Sequence, residues 1–243
     1  MRVFRKLYHF ILLVLLISAG IMLERTGVVS YFTDPTNIRD VLSLSLEHLH
    51  LVAVSMSLAT VTGVAVGIIF TRRFFRPAAG VIMYFVGLGQ TIPSLAVLAL
   101  IVGALGTGAN SAIFALYIYS VLPIARNTLA GISSVPPSMI DAAKGMGMTP
   151  MQILVSVELP NSMRVILTGF RVALIINIGT AALAYLIGAG GLGELIFTGI
   201  NLMQTDRLLA GTLPVTFMAL FADFLCGLLR YILIPRGLRL QEA

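Results

Sequence analysis

The sequence predicts an all-α integral membrane protein of about six transmembrane helices, and three observations predict it. Hydrophobic residues make up 58% of the 243-residue chain and charged residues only 11%, against about 25% charged in soluble domains. The apolar residues are gathered into runs close to the roughly 20 residues that cross a bilayer. The basic residues lie in short connections beside those runs, where they read as topology signals. The net charge of +6 therefore speaks of orientation. A nucleic-acid partner would need a basic face on a folded soluble domain, and no stretch of this chain has that composition. The single cysteine, Cys226, falls inside a predicted span and forms no internal disulfide.

Taken in order, the first span covers 7–23 after Arg2, Arg5 and Lys6. No small-residue cleavage site follows Leu23, so it reads as a retained signal-anchor. A polar connection follows over 24–46, in which 38–46 is expected as a short helix along the membrane surface. Span two is 49–70, with Gly63 and Gly67 in a small-xxx-small pattern that permits close helix packing. The next apolar stretch, 78–105, is broken at Gln90-Thr91-Ile92-Pro93-Ser94, because proline removes a backbone donor and clashes with the preceding turn. After a turn at 106–110, span four is 112–130. Span five is 165–187 and contains Asn177, and the last span is 208–234. The chain thus divides into an N-terminal span and connection (1–45), a core (46–235) and a short tail (236–243).

The stretch 139–160 is polar in an apolar chain, with Asp141, Lys144 and Glu158, and sits within a predicted loop over 131–164. It reads as two short helices with a corner. Asp141 is expected near the start of the first, where a carboxylate complements the helix dipole. Gly145, Gly147 and Pro150 are expected to end it. The small residues Ala142, Ala143, Gly145 and Gly147 allow another surface close to the backbone, as a docking knob requires.

Other constellations are weaker. Gly188-Ala189-Gly190-Gly191-Leu192-Gly193 satisfies G-x-G-x-x-G, but that fingerprint has meaning only between a strand and a helix. Here it follows a membrane span, so it reads as a glycine-rich turn at Gly188, Gly190, Gly191 and Gly193 that lets the chain re-enter or pack closely. Gln90, Thr91, Pro93 and Ser94, together with Asn177 in span five, place polar groups at membrane depth. They line a translocation pathway, or they form a packing kink that satisfies its own backbone. Asp223 has no evident basic partner in its span, and an ionisable group there costs on the order of 3 kcal/mol. It is a pathway contact or a structural acid, and the structural role is favoured because one isolated acid makes a poor relay. His48 and His50 are two residues apart and do not share a helix face, so a metal site is not expected. No catalytic triad, H-E-x-x-H or P-loop lysine motif occurs.

The segment 141–160 resembles the ATPase-docking loop of the membrane subunits of binding-protein-dependent ABC importers. That pattern is Glu-Ala-Ala, three residues, Gly, nine residues, Ile-x-Leu-Pro. Asp141, Ala142 and Ala143 take the triplet, Gly147 the glycine, and Val157, Leu159 and Pro160 the far end. Asp for Glu at 141 and Val for Ile at 157 are conservative departures. The glycine-rich turn is similar to one in permeases for osmoprotectants, methionine and phosphonates. Gln90 to Ala96 resembles the corresponding segment of permeases for glycine betaine, choline and carnitine.

The resemblance implies a methionine-permease-like fold that dimerises with an identical or related subunit in a bacterial inner membrane. It implies a cytoplasmic ABC ATPase dimer as motor, ATP being bound by that partner, and a separate periplasmic binding protein. The expected substrate is an osmoprotectant. The alternatives are methionine or another small solute, or a stand-alone channel or secondary transporter. With the N-terminus inside, all of the 16 Lys and Arg except Arg25, Arg39 and Arg207 fall on the cytoplasmic side. This places the docking loop in the cytoplasm with both termini.

Overall fold

The computed structural model describes Gly20 and residues 24–233. The rest of the expected first span and the tail lie outside the described residues. Every regular element among the described residues is helical.

A short helix α1 (Val28–Thr33) leads into α2 (Pro35–Thr71). Asp34 caps α2 by accepting the Thr36 backbone N–H at 2.7 Å, and that bond holds its carboxyl below the usual carboxylate range. Pro35 occupies the first helical position, where its missing N–H costs nothing. Residues 38–46, expected as a separate surface helix, instead belong to this continuous 37-residue helix. Its polar residues do not interrupt it because nothing there breaks a helix. At 1.5 Å per residue, it extends roughly 55 Å, well beyond the roughly 30 Å apolar layer. Val41, Leu44, His48, Leu51, Val52, Ser55, Met56 and Ala59 recur at helical spacing and are buried.

The broken stretch becomes α3 (Ala79–Gly89) and α4 (Ser94–Leu105), bent by 93° at Pro93. Each is too short to cross the apolar layer alone, so the pair forms a broken span or a re-entrant loop. Then come α5 (Ala109–Ser133), α6 (Pro137–Gly145) and α7 (Pro150–Ile153). A π-helical turn (Leu154–Glu158) joins α7 to α8 (Leu159–Ala181), which tightens into a 3-10 segment (Ala182–Ile187). After the glycine turn, α9 (Gly193–Asn201) and α10 (Thr205–Leu233) complete the described chain. Among the described residues, four helical runs are long and apolar enough to cross a membrane, or five with the bent pair.

The centre is the packing of α5 between α2 and α8, with α10 against α8. Leu51, Met56, Ala59, Leu98, Ala115, Ile124, Ala173 and Ile178 form its apolar core. The small-xxx-small pattern serves the α2–α5 contact. A Cβ at Gly63 would lie 2.9 Å from Ile124 Cβ, and one at Gly67 would run into the Thr128 side chain. Gly67→Val is therefore expected to destabilise the bundle by about 1–3 kcal/mol, the usual cost of overpacking. Thermal unfolding in detergent checks this, and an unchanged midpoint would contradict it.

Candidate functional site

The polar loop at one end of the bundle folds as two helices with a corner, but Asp141 is not where the dipole would favour it. Pro137 starts α6, so Asp141 is its fifth residue and the first turn carries no acid. Tandem prolines at 136 and 137 set the start earlier than the carboxylate would. Asp141 instead pairs with Lys144 one turn on, at 3.1 Å, and both side chains are solvent-exposed. The corner is a Schellman cap: the Met148 N–H donates to Ala143 O at 3.1 Å and the Gly147 N–H to Lys144 O at 2.9 Å. Gly147 adopts φ +78°, and no other part of the chain comes within 4 Å of a Cβ built on it. Thr149 and Gln152 close a reciprocal capping box that starts α7 at Pro150. Ala143 is buried beneath the corner while Ala142 is exposed, so only part of the small-residue surface is open to a visitor.

The π turn at 154–158 has a local cause. Pro160 supplies no N–H and its ring crowds the carbonyl four residues back, which loosens the helix there. Nearby carbonyls receive side-chain donors instead: Asn161 Nδ2 donates to Val157 O at 2.6 Å and Ser162 Oγ to Glu158 O at 2.5 Å. Val157, Leu159 and Pro160, the far end of the expected docking pattern, are half-buried at this turn. Glu158 between them accepts from Arg72 Nη2 at 2.5 Å, and Arg72 caps the end of α2. The Arg72 side chain is 35% exposed and that of Glu158 11%. This bond ties the loop to the long first helix of the core. A cavity of about 240 Å³ lies under the loop, bounded by Phe70, Ile132, Ile140, Asp141, Lys144 and Glu158.

At membrane depth, the residues expected together are separated. Thr91 turns its hydroxyl back to Leu88 O at 2.7 Å, as a self-satisfied kink would. Ser94 opens α4 behind Pro93 and faces a crevice against Tyr119 and Thr180. Gln90 lines a cavity of about 270 Å³ with Tyr119, Ser120, Pro123, Val172 and Ile176. Asn177 is 1% exposed and occupies the seam of α2, α5 and α8. Its Nδ2 donates to Ser120 Oγ at 2.7 Å and to Ser55 Oγ at 3.0 Å.

Asp223 has a basic partner outside its own span. Arg171, inside the expected span five, is the thirteenth residue of α8 and reaches across to α10. Its Nε and Nη2 donate to Asp223 Oδ1 and Oδ2 at 2.5 and 2.8 Å. The partner was invisible locally because it lies 52 residues away.

The opposite end is organised by the glycine turn. Gly188, Gly190 and Gly191 all take positive φ, and a Cβ at Gly193 would overlap the Ala182 carbonyl. The Gly191 N–H donates to Glu47 Oε2 at 3.0 Å. Glu47, His50, Gly188 and Gly190 border a cavity of about 630 Å³ beside it. His48 points the other way, fully buried, with Nε2 2.9 Å from Ile178 O. No cluster of three metal-binding side chains occurs among the described residues.

A bundle of long apolar helices, a bent helix pair and a structured polar loop at one end define a multi-pass membrane protein. Residues 63–237 match the model for the binding-protein-dependent transport system inner membrane component, and the chain belongs to that family. It is 42% identical over 213 residues to the carnitine transport permease protein OpuCB of Listeria monocytogenes, covering 88% of this chain and 96% of that one. It is 47% identical over 186 residues to the osmoprotectant import permease protein OsmY of Salmonella typhimurium, covering 76% and 79%. With the choline transport system permease protein OpuBB of Bacillus subtilis it shares 41% over 208 residues, covering 85% and 95%. The fold matches the inward-facing MetNI methionine ABC transporter with TM-score 0.72 at 21% identity, over 83% of this chain and all of that one. The expected methionine-permease-like fold is thus what the chain adopts.

Proposed function

We propose that this chain imports osmoprotectants, quaternary amines such as glycine betaine, choline or carnitine, as the membrane subunit of an ATP-driven ABC transporter. The observation that carries the reading is its 41–47% identity, over most of its length, to permeases named for carnitine, choline and osmoprotectant transport. ATP hydrolysis belongs to a separate cytoplasmic ATPase pair, since the sequence holds no P-loop lysine motif. The exposed corner at Ala142 and Gly147 offers that ATPase a surface, and Arg72–Glu158 carries its movement into the core. A second permease subunit completes the membrane unit, and a periplasmic binding protein delivers solute at the glycine-turn end. The basic residues gathered at the loop end support a cytoplasmic position for that end and for both termini. Transport then follows a two-state switch in which ATP favours one arrangement of the helices.

Reconstitution with a cognate ATPase and binding protein tests the proposal. ATP-dependent uptake of labelled glycine betaine or choline into proteoliposomes is the expected result. Uptake without ATP would identify a stand-alone transporter instead, and uptake of methionine but of neither amine would shift the substrate.

A further inference from the structure

The Arg171–Asp223 pair is the unusual feature of the membrane-embedded region. At 1.5 Å per residue, Arg171 lies roughly 18 Å along α8 from Leu159, and Asp223 about 15 Å from Leu233 at the end of α10. Both lie inside helical runs long and apolar enough to cross a membrane, Arg171 about 9 Å beyond the expected start of span five at residue 165. The two side chains are nevertheless 45% and 33% exposed. Lipid makes a poor cover for charges at that depth, and such groups face water or polar partners.

The geometry leaves part of each group available. Arg171 spends Nε and one Nη2 hydrogen on the carboxylate, and its guanidinium has five donors in all. Asp223 likewise has lone pairs beyond the two that Arg171 occupies. A fixed positive group beside a fixed negative one is complementary to a solute that carries both signs a few ångströms apart. The exposed side of α8 that carries Arg171 also carries part of a cavity wall, beginning at the adjacent Val172. Thr168, Arg171, Val172, Ile176 and Gly179 form the exposed stripe of α8, and Val172 and Ile176 wall the cavity of about 270 Å³ with Gln90 and Tyr119. That volume is near the lower end for small-molecule sites, about 300 Å³, and a tyrosine ring is a good surface for a quaternary ammonium group.

We infer that Arg171 and Asp223 form a zwitterion-selecting station on the solute route, with Arg171 taking a carboxylate and Asp223 facing a quaternary ammonium. This rests on the osmoprotectant reading and deepens it. Glycine betaine has both groups and choline only the cation, so the pair must treat them differently.

The test compares uptake of glycine betaine and choline, as kcat/KM, by the complete reconstituted transporter with one binding protein throughout. Two variants are used: Arg171→Gln, and the double variant Arg171→Met with Asp223→Leu. The double variant replaces the pair by apolar side chains, which membrane and protein interiors tolerate well. In both, the ratio of glycine betaine to choline uptake is expected to fall roughly tenfold or more, as loss of a charge-assisted contact predicts. Equal losses for both solutes, or an unchanged ratio, would overturn the inference and make the pair a structural strut. So would failure of both variants to assemble with the ATPase. Wild-type complex that imports neither solute would instead sink the osmoprotectant reading, and the zwitterion assignment with it.

Discussion

Gly147→Asp is expected to leave the permease inserted and folded but to cut ATP-driven uptake at least tenfold. The residue sits at φ +78° in the Schellman cap that ends α6. Aspartate is among the few side chains that tolerate this left-handed conformation, at a cost of about 1–2 kcal/mol, and the surrounding space within the chain is open. Folding therefore survives. What does not survive, under the proposed docking, is close approach of an ATPase surface to the bare backbone at the corner, where a charged side chain now stands. Gly147→Asn separates bulk from charge, since it fits the same backbone conformation. Measuring membrane abundance, ATPase co-purification and solute uptake together decides the matter. Normal uptake by the aspartate variant would exclude this corner as the docking surface.

Glu158→Gln is expected to be the second large effect, and a different one. The carboxylate is nearly buried, accepts from Arg72 at 2.5 Å, and sits in the π turn between the loop and α8. Removing one partner of a fully buried pair costs about 3–5 kcal/mol. With Arg72 about one-third exposed, the cost here is smaller, about 1–2 kcal/mol, and the protein stays folded. The functional loss should exceed the stability loss, because the bond joins loop movement to α2. The variant complex is expected to hydrolyse ATP at close to the normal rate while importing several-fold less solute per ATP. Arg72→Lys, which keeps the charge but loses the planar fork, should recover part of the ratio. A fall in ATPase rate and uptake by the same factor would show that Glu158 only holds the subunit together.

Much of this molecule is legible in its residues because the governing physics is local. A run of apolar residues partitions into lipid wherever its neighbours lie, and a proline weakens a helix from within. So the membrane class, the break at Pro93 and the cornered loop ending at Gly147 are readable from short stretches. Two misreadings were also local. Residues 38–46 look like a separate surface helix by polarity, yet no residue there stops a helix, and the helix capped at Asp34 runs straight through. Asp141 looks like an N-terminal acid, yet the prolines at 136 and 137 start the helix four residues earlier.

The pairings have another origin. Arg72 with Glu158 spans 86 residues, Arg171 with Asp223 spans 52, and His48 with Ile178 spans 130. Polar groups in an apolar bundle must find partners, because an unmet hydrogen bond or charge is costly where water is absent. The sequence by itself determined that Asp223, an ionisable group inside a span, needed such partners. Only the tertiary structure decided which residues they were, because helix packing rotates one face of each rod toward its neighbours, and that rotation is set by contacts summed over the whole bundle.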